Sequence, residues 1–230
     1  MNVISMGGIC KQYALPSGVT TDVLKSVDLF IETGEFVSIM GPSGSGKSTL
    51  MNLLGTLDRP TKGAYHLDDE DISEFDDAAL AQIRNSTIGF VFQGFNLLPR
   101  RSIIDNIALP LFYAGETHKE SIRRAEHYLK QVGLSTHRDY FPNQLSGGQQ
   151  QRIAIARALA GEPKLILADE PTGNLDSKTS EEIMELFTQL NREGITIILV
   201  THEESVARYG KRLVQLKDGE IVYDGPMPQC

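Results

Sequence analysis

At 230 residues the chain is long enough for one large domain, or for one domain carrying a smaller subdomain. Hydrophobic residues at 40% and charged residues at 23% are ordinary for a folded soluble protein and exclude disorder as the default. The net charge of −8, from 22 basic and 30 acidic residues, weighs against nucleic acid as a partner, since its binders carry a basic excess. The apolar runs, such as 195–200, fall far short of the roughly 20 residues a membrane-spanning helix needs. No secretion signal is readable at the N-terminus, so the chain is expected to stay in the cytoplasm. Cys10 and Cys230 lack metal-ligand spacing and are read as free thiols.

Taken in chain order, the pattern predicts strands over 3–9 and 23–31, the second alternating around Leu24, Ser26, Asp28 and Phe30. After the Thr33-Gly34 turn, 36–40 reads as a buried strand that feeds a glycine-rich loop, and 47–55 reads as a helix. A strand over 63–69, a helix over 76–84 and a strand over 87–92 follow. The middle, 94–160, is helical in pattern: Ile122, Ala125, Tyr128, Leu129 and Val132 fall on one face, and Gly133 stops the run. The last third alternates again, with strands over 164–169 and 195–201, a helix over 177–192, a short helix, and a hairpin turning at Asp218-Gly219. Such alternation implies an α/β core with a parallel sheet.

Three stretches carry chemistry. Gly41-Pro42-Ser43-Gly44-Ser45-Gly46-Lys47-Ser48 matches G-x-x-x-x-G-K-[ST] and lies between a predicted strand and helix, the context that motif requires. Its backbone N–H groups can converge on phosphate oxygens, and the helix N-terminus adds about half an elementary charge. Lys47 supplies a full charge, and the Ser48 hydroxyl is placed to hold Mg²⁺. The strand 165–168 ends in Asp169 and Glu170. Asp169 is the metal-side candidate, and Glu170 is placed to orient or deprotonate water. In Leu145-Ser146-Gly147-Gly148-Gln149-Gln150-Gln151-Arg152, Ser146 can cap the following helix, whose start exposes further N–H groups. One domain cannot easily use two phosphate cradles on a single nucleotide, which suggests that a second protomer contributes this one.

In combination, GPSGSGKST (41–49), Gln93, LSGGQQQR (145–152), LILADE (165–170), GNLD (173–176) and His202 resemble an ABC transporter ATP-binding subunit over nearly the whole chain. The resemblance implies an α/β fold, with a P-loop NTPase (RecA-like) core, an N-terminal antiparallel β subdomain and an inserted α-helical subdomain. It implies one domain over 1–230, with 1–93 and 161–230 forming the β subdomain and ATP-binding core, and 94–160 the helical subdomain. ATP and Mg²⁺ are the implied ligands, held by Gly41 through Thr49, with Ser48, Gln93 and Asp169 on the metal side. Tyr13, set before the first long strand, would stack on adenine. Glu170, His202, Gln93 and Lys47 would be catalytic, with Gln93 reaching Mg²⁺ and the attacking water and His202 the γ-phosphate. Ser146, Gly147, Gly148 and Gln149 would close over ATP held by the opposite subunit, and Asp176 would communicate across the homodimer.

The wording between motifs, including Leu57-Asp58-Arg59-Pro60-Thr61, 89–98 and ADEPTGNLDS (168–177), is similar to the MacB/LolD-type branch of macrolide or peptide export and lipoprotein release. That branch implies a separate membrane permease and peripheral attachment at the cytoplasmic face of the inner membrane. Phe95, Leu97, Leu98 and the segment 100–111 are candidates for its docking surface; most of these apolar residues are expected to fill the helical core, with at least one exposed for the partner. Two alternatives stay open: an ABC ATPase serving a non-transport process such as cell division, and a soluble non-transport ABC ATPase.

Overall fold

The protein is described by a computed structural model covering residues 1–14, 18 and 20–228. Cys230 therefore lies outside the described residues, while Cys10 is a free, half-buried thiol whose Sγ accepts the Ser26 N–H. Two long strands, β1 (Asn2–Ala14) and β2 (Thr20–Glu32), lead to β3 (Phe36–Met40) and α1 (Lys47–Leu54). Next come β4 (Lys62–Leu67), β5 (Glu70–Asp71), α2 (Asp77–Thr87) and β6 (Ile88–Phe92). The helices α3 (Ile103–Tyr113), α4 (His118–Gln131) and α5 (Gly147–Ala160) occupy the middle. Strand β7 (Leu165–Asp169), α6 (Ser177–Arg192), β8 (Thr196–Val200), α7 (Glu204–Ala207), β9 (Arg212–Lys217) and β10 (Glu220–Pro226) complete the chain.

The strands form two sheets. An antiparallel four-stranded sheet has the order β2-β1-β4-β5, and a six-stranded sheet has the order β10-β9-β3-β8-β7-β6. In the larger sheet all neighbours pair in parallel except β9 and β10. Its central strands are apolar on both faces, as a covered parallel sheet requires. Val37, Ile39, Leu165, Leu167, Ile198 and Val200 pack with α1 and the smaller sheet, whereas Phe36, Ile166, Ala168, Ile197 and Leu199 pack with Ile155 of α5 and Phe187 of α6. A third cluster joins α3, α4 and α5.

The alternation expected for β2 is corrected. Val27, Leu29 and Ile31 are the buried set, together with Leu24, while Phe30 is exposed. The register slips between Ile9↔Val27 and Lys11↔Leu24, so one extra β2 residue sits opposite β1, and Ser26 there takes φ 53°. A bulge of this kind flips the face on which later residues lie. Tyr13 is also relocated: it lies inside β1, paired with Thr21, not ahead of the first long strand. Of the docking candidates, Ile103, Ile104, Ile107, Ala108 and Leu111 are buried among the helices, and Leu98 is the one large apolar side chain classed as exposed.

Candidate functional site

Parallel pairing brings Phe92, Asp169 and Val200 into one row, and Ile39 lies beside Val200. The residues that follow these strand ends emerge on one edge of the sheet, where α/β folds bind ligands. A cleft of about 990 Å³ opens there. Gly41, Pro42, Ser43, Gly44, Gly46, Lys47, Ser48 and Thr49 line one wall, and Gln93, Asp169, Glu170 and His202 the other. Val23, Met40, Val200 and Gln215 also reach it. Sequence reading missed these four, because no motif marks a residue that enters only through pairing of distant strands.

The loop owes its shape to glycine. A Cβ at Gly41 would overlap the Leu216 carbonyl and lie 2.6 Å from Ser45 Oγ. Gly46 takes φ 103° and has Leu24 Cδ2 2.9 Å from where a Cβ would stand. Gly46 caps α1 with no side-chain hydrogen bond, so the N–H groups of the first helical turn remain directed at the loop. Lys47 Nζ donates to the carbonyls of Gly41 (2.6 Å) and Pro42 (2.9 Å). Buried Ser45 Oγ has no hydrogen-bond partner among the described residues. A glycine-lined backbone cradle, an uncapped helix N-terminus and a lysine at its first residue fit a polyphosphate.

Opposite the loop, Glu170 sits at φ 46°, a backbone conformation that costs a non-glycine residue about 1–2 kcal/mol. Its Oε1 accepts from His202 Nδ1 (2.6 Å) and from the His202 N–H (3.1 Å), while Oε2 accepts from Thr201 Oγ1 (3.2 Å). The hydrogen bond and charge of Glu170 hold the His202 pKa above its usual value. Asp169 is pushed up by burial and then by the Glu170 charge, with Lys47 opposing. A hydroxyl (Ser48), an amide (Gln93) and a carboxylate (Asp169) form an all-oxygen set suited to Mg²⁺ that keeps waters and phosphate oxygens among its ligands.

Gln93 is fixed by a contact absent from the sequence reading. Asn174 Nδ2 donates to the Gln93 carbonyl (3.0 Å), and Gln93 Nε2 reaches Asn174 Oδ1 at 3.5 Å. Gly173 leaves room for that side chain, since a Cβ would stand 2.6 Å from Gln93 Nε2.

The remaining candidates lie outside the cleft lining. Ser146 caps α5 in a reciprocal box: its Oγ accepts the Gln149 N–H, and Gln149 Oε1 accepts the Ser146 N–H. Gly147 approaches Leu175, and Gly148 lies against Thr179 of α6. Asp176 caps α6, accepting from the Thr179 N–H (3.1 Å) and Thr179 Oγ1 (2.6 Å), and these bonds lower its pKa. The Tyr13 hydroxyl donates to Asp58 Oδ2 at 2.8 Å.

Known proteins resemble this chain over most of its length. A family profile described as "ABC transporter" matches residues 24–173. The chain is 58% identical to the "Uncharacterized ABC transporter ATP-binding protein YknY" of Bacillus subtilis, over 96% of this chain and 95% of that protein. It is 53% identical to the "Macrolide export ATP-binding/permease protein MacB" of Rhodopirellula baltica over 96% of its own length, but spans only 33% of that protein. Among solved structures, a dimeric, post-hydrolysis state of the ATP-binding cassette MJ0796 bound to ADP and Pi superposes with a TM-score of 0.88 at 46% identity, over 99% of this chain and 100% of that one.

Proposed function

This chain belongs to the ABC transporter family, and we propose that it works as a nucleotide-dependent homodimer that drives a separate membrane permease of the MacB/LolD type. It is an ATPase, hydrolysing ATP to ADP and phosphate. The observation that carries the dimer reading is a division within one chain. The phosphate loop, Asp169, Glu170, Gln93 and His202 share one cleft, while the capped start of α5 at Ser146–Gln149 lies outside its lining. A second copy, related by two-fold symmetry, would supply Ser146, Gly147, Gly148 and Gln149 to the ATP held here, with Asp176 at the seam. The dimeric state of the MJ0796 relative supports this reading.

In this account the loop N–H groups and Lys47 bind the outer phosphates, and Tyr13 stacks on the base. Ser48, Gln93 and Asp169 would hold Mg²⁺, which supplies charge neutralisation on the transferring phosphoryl group. Glu170 accepts a proton from the attacking water at a carboxylate oxygen. His202 orients that carboxylate through Nδ1 and its own N–H, and its exposed ring is free to meet the γ-phosphate. Loss of the γ-phosphate removes the contact both copies share, and the dimer opens.

Among the described residues no helix is long and apolar enough to cross a membrane. Relatives that this chain matches end to end are named as ATP-binding proteins, which supports a permease on another chain and peripheral attachment at the cytoplasmic face. The residues 94–160 form the helical unit that transmits motion, with Leu98, exposed beside the start of α3, at its docking surface. Co-purification from native membranes in mild detergent tests the partner: a stoichiometric permease is the expected result, and recovery without any membrane protein in either nucleotide state contradicts it.

A further inference from the structure

Beside the cleft, a polar cluster joins β1 to the chain just past α1. Asp58 Oδ1 accepts from Lys11 Nζ (2.6 Å) and from the Arg59 N–H (2.7 Å), and Oδ2 accepts from the Tyr13 hydroxyl (2.8 Å). Lys11 Nζ also donates to the Arg59 carbonyl (2.7 Å) and lies 4.9 Å from the centre of the Tyr13 ring. Lys11 is itself nearly buried, at 9% exposure, so its ammonium is held in place by these partners. The segment carrying Asp58 is anchored twice more: the Thr61 N–H donates to the Cys10 carbonyl, and the Gln12 N–H to Thr61 Oγ1. The Leu57 and Asp58 N–H groups donate to the Asn52 carbonyl of α1, the helix whose other end carries the phosphate loop.

We propose that Asp58 is a positioning residue for nucleotide binding, which fixes the ring of Tyr13 relative to the phosphate loop through the Tyr13 hydroxyl and Lys11. The proposal rests on the reading of Tyr13 as the base-stacking side chain. A free tyrosine at 39% exposure would sample several rotamers. Here the hydroxyl is tied to Asp58, and the ammonium covers one face of the ring, leaving the other for a base. Holding a side chain in its bound geometry removes an ordering cost that binding would otherwise meet. The electrostatics agree. Burial acts to raise Asp58, but the bonds from Lys11, Tyr13 and Arg59 outweigh it and hold the carboxyl below its ordinary pKa. Burial and the bond to Asp58 raise the pKa of Tyr13.

The test is steady-state ATP turnover by the purified full chain with Asp58→Ala, Tyr13→Phe, Tyr13→Ala and the Tyr13→Ala/Asp58→Ala double variant. Inhibition by inorganic tripolyphosphate, which has no base, is measured alongside. Asp58→Ala should raise KM for ATP roughly three- to tenfold, the effect of one released side chain, with the loss falling on KM and not on kcat. Tyr13→Phe should raise KM in the same direction, because it keeps the ring and removes only its tether. In the Tyr13→Ala background Asp58→Ala should add nothing, and tripolyphosphate inhibition should be unchanged by Asp58→Ala. If Tyr13→Ala leaves KM unaltered, the stacking reading itself is wrong. If Tyr13→Ala raises KM while Asp58→Ala and Tyr13→Phe do not, the stacking reading stands and the positioning role is overturned. An Asp58→Ala effect that persists without Tyr13, or that weakens tripolyphosphate, would place its action on the loop or the fold and likewise overturn the proposal.

Discussion

Replacing Gly148 by alanine should disturb the packing of the α5 start against α6. The added Cβ would overlap the Thr179 Cγ2 methyl, while Thr179 Cβ and Oγ1 stand at ordinary distances of 3.7 and 3.9 Å. Thr179 cannot rotate freely, because its Oγ1 donates to Asp176 Oδ2 (2.6 Å) and its N–H to Asp176 Oδ1 (3.1 Å). Turning the side chain loses a hydrogen bond worth about 1 kcal/mol. Forcing the methyl aside instead carries an overpacking cost of about 1–3 kcal/mol. Alanine over glycine returns up to about 1 kcal/mol of helix propensity. The net loss is up to about 2 kcal/mol, or a fall in Tm of up to roughly 8 °C for a chain of this size. Thr179→Ser keeps the hydroxyl and deletes the methyl, so Gly148→Ala/Thr179→Ser should unfold within a degree or two of the parent. Calorimetry on the three variants measures this. If Gly148→Ala alone raises Tm, as helix propensity without the contact requires, or if adding the serine does not raise it further, the contact does not act as described. Because the new methyl is directed at Thr179 of the same chain, ATP turnover should recover together with Tm in the double variant.

Three further outcomes follow from the same structure. By NMR, His202 should titrate above the ordinary histidine value, and Glu170→Gln should move the midpoint down. Because the folded pKa is raised, the small stability this pair contributes is fully present below about pH 6.5 and fades as pH rises through the folded value. Asn106→Ala should destabilise the α3 start by about 2–4 kcal/mol in denaturant titration, since buried Asn106 accepts the Leu98 N–H and donates to the carbonyls of Leu98, Arg101 and Ser102. Phe187→Ala, at a fully buried ring between α6 and the large sheet, should cost about 3–5 kcal/mol in the same assay, with ATP affinity of the folded fraction unaltered.

Legibility of the fold followed how local the signal was. Helix α6 spans Ser177–Arg192, as its periodicity predicts, because its apolar stripe and terminal arginine lie within its own residues and its cap, Asp176, immediately precedes them. The hairpin at Asp218-Gly219 was equally readable, with both residues at positive φ. The face of β2 was not, since the bulge at Ser26 depends on pairing with β1. Sheet order lies beyond any local pattern: β3 between β8 and β9 joins segments about 160 residues apart. The site divides in the same way. The loop 41–49 and the Asp169-Glu170 strand end carry their chemistry in contiguous residues. Asn174 holding Gln93, and Asp58 holding Tyr13, bridge 81 and 45 positions, so the pairings were not readable although GNLD (173–176) and the segment 57–61 stand out in the sequence.

The central claim, that two copies close over ATP and hydrolysis releases them, is tested most directly with Glu170→Gln. The amide keeps the shape of a side chain that accepts from His202 and Thr201 but cannot take a proton from water, so turnover should fall by about 10²–10⁴-fold. In saturating Mg-ATP the variant should run as a stable dimer by light scattering, and in ADP as a monomer. A variant that stays monomeric at saturating Mg-ATP, or that hydrolyses at the parent rate, would contradict the account.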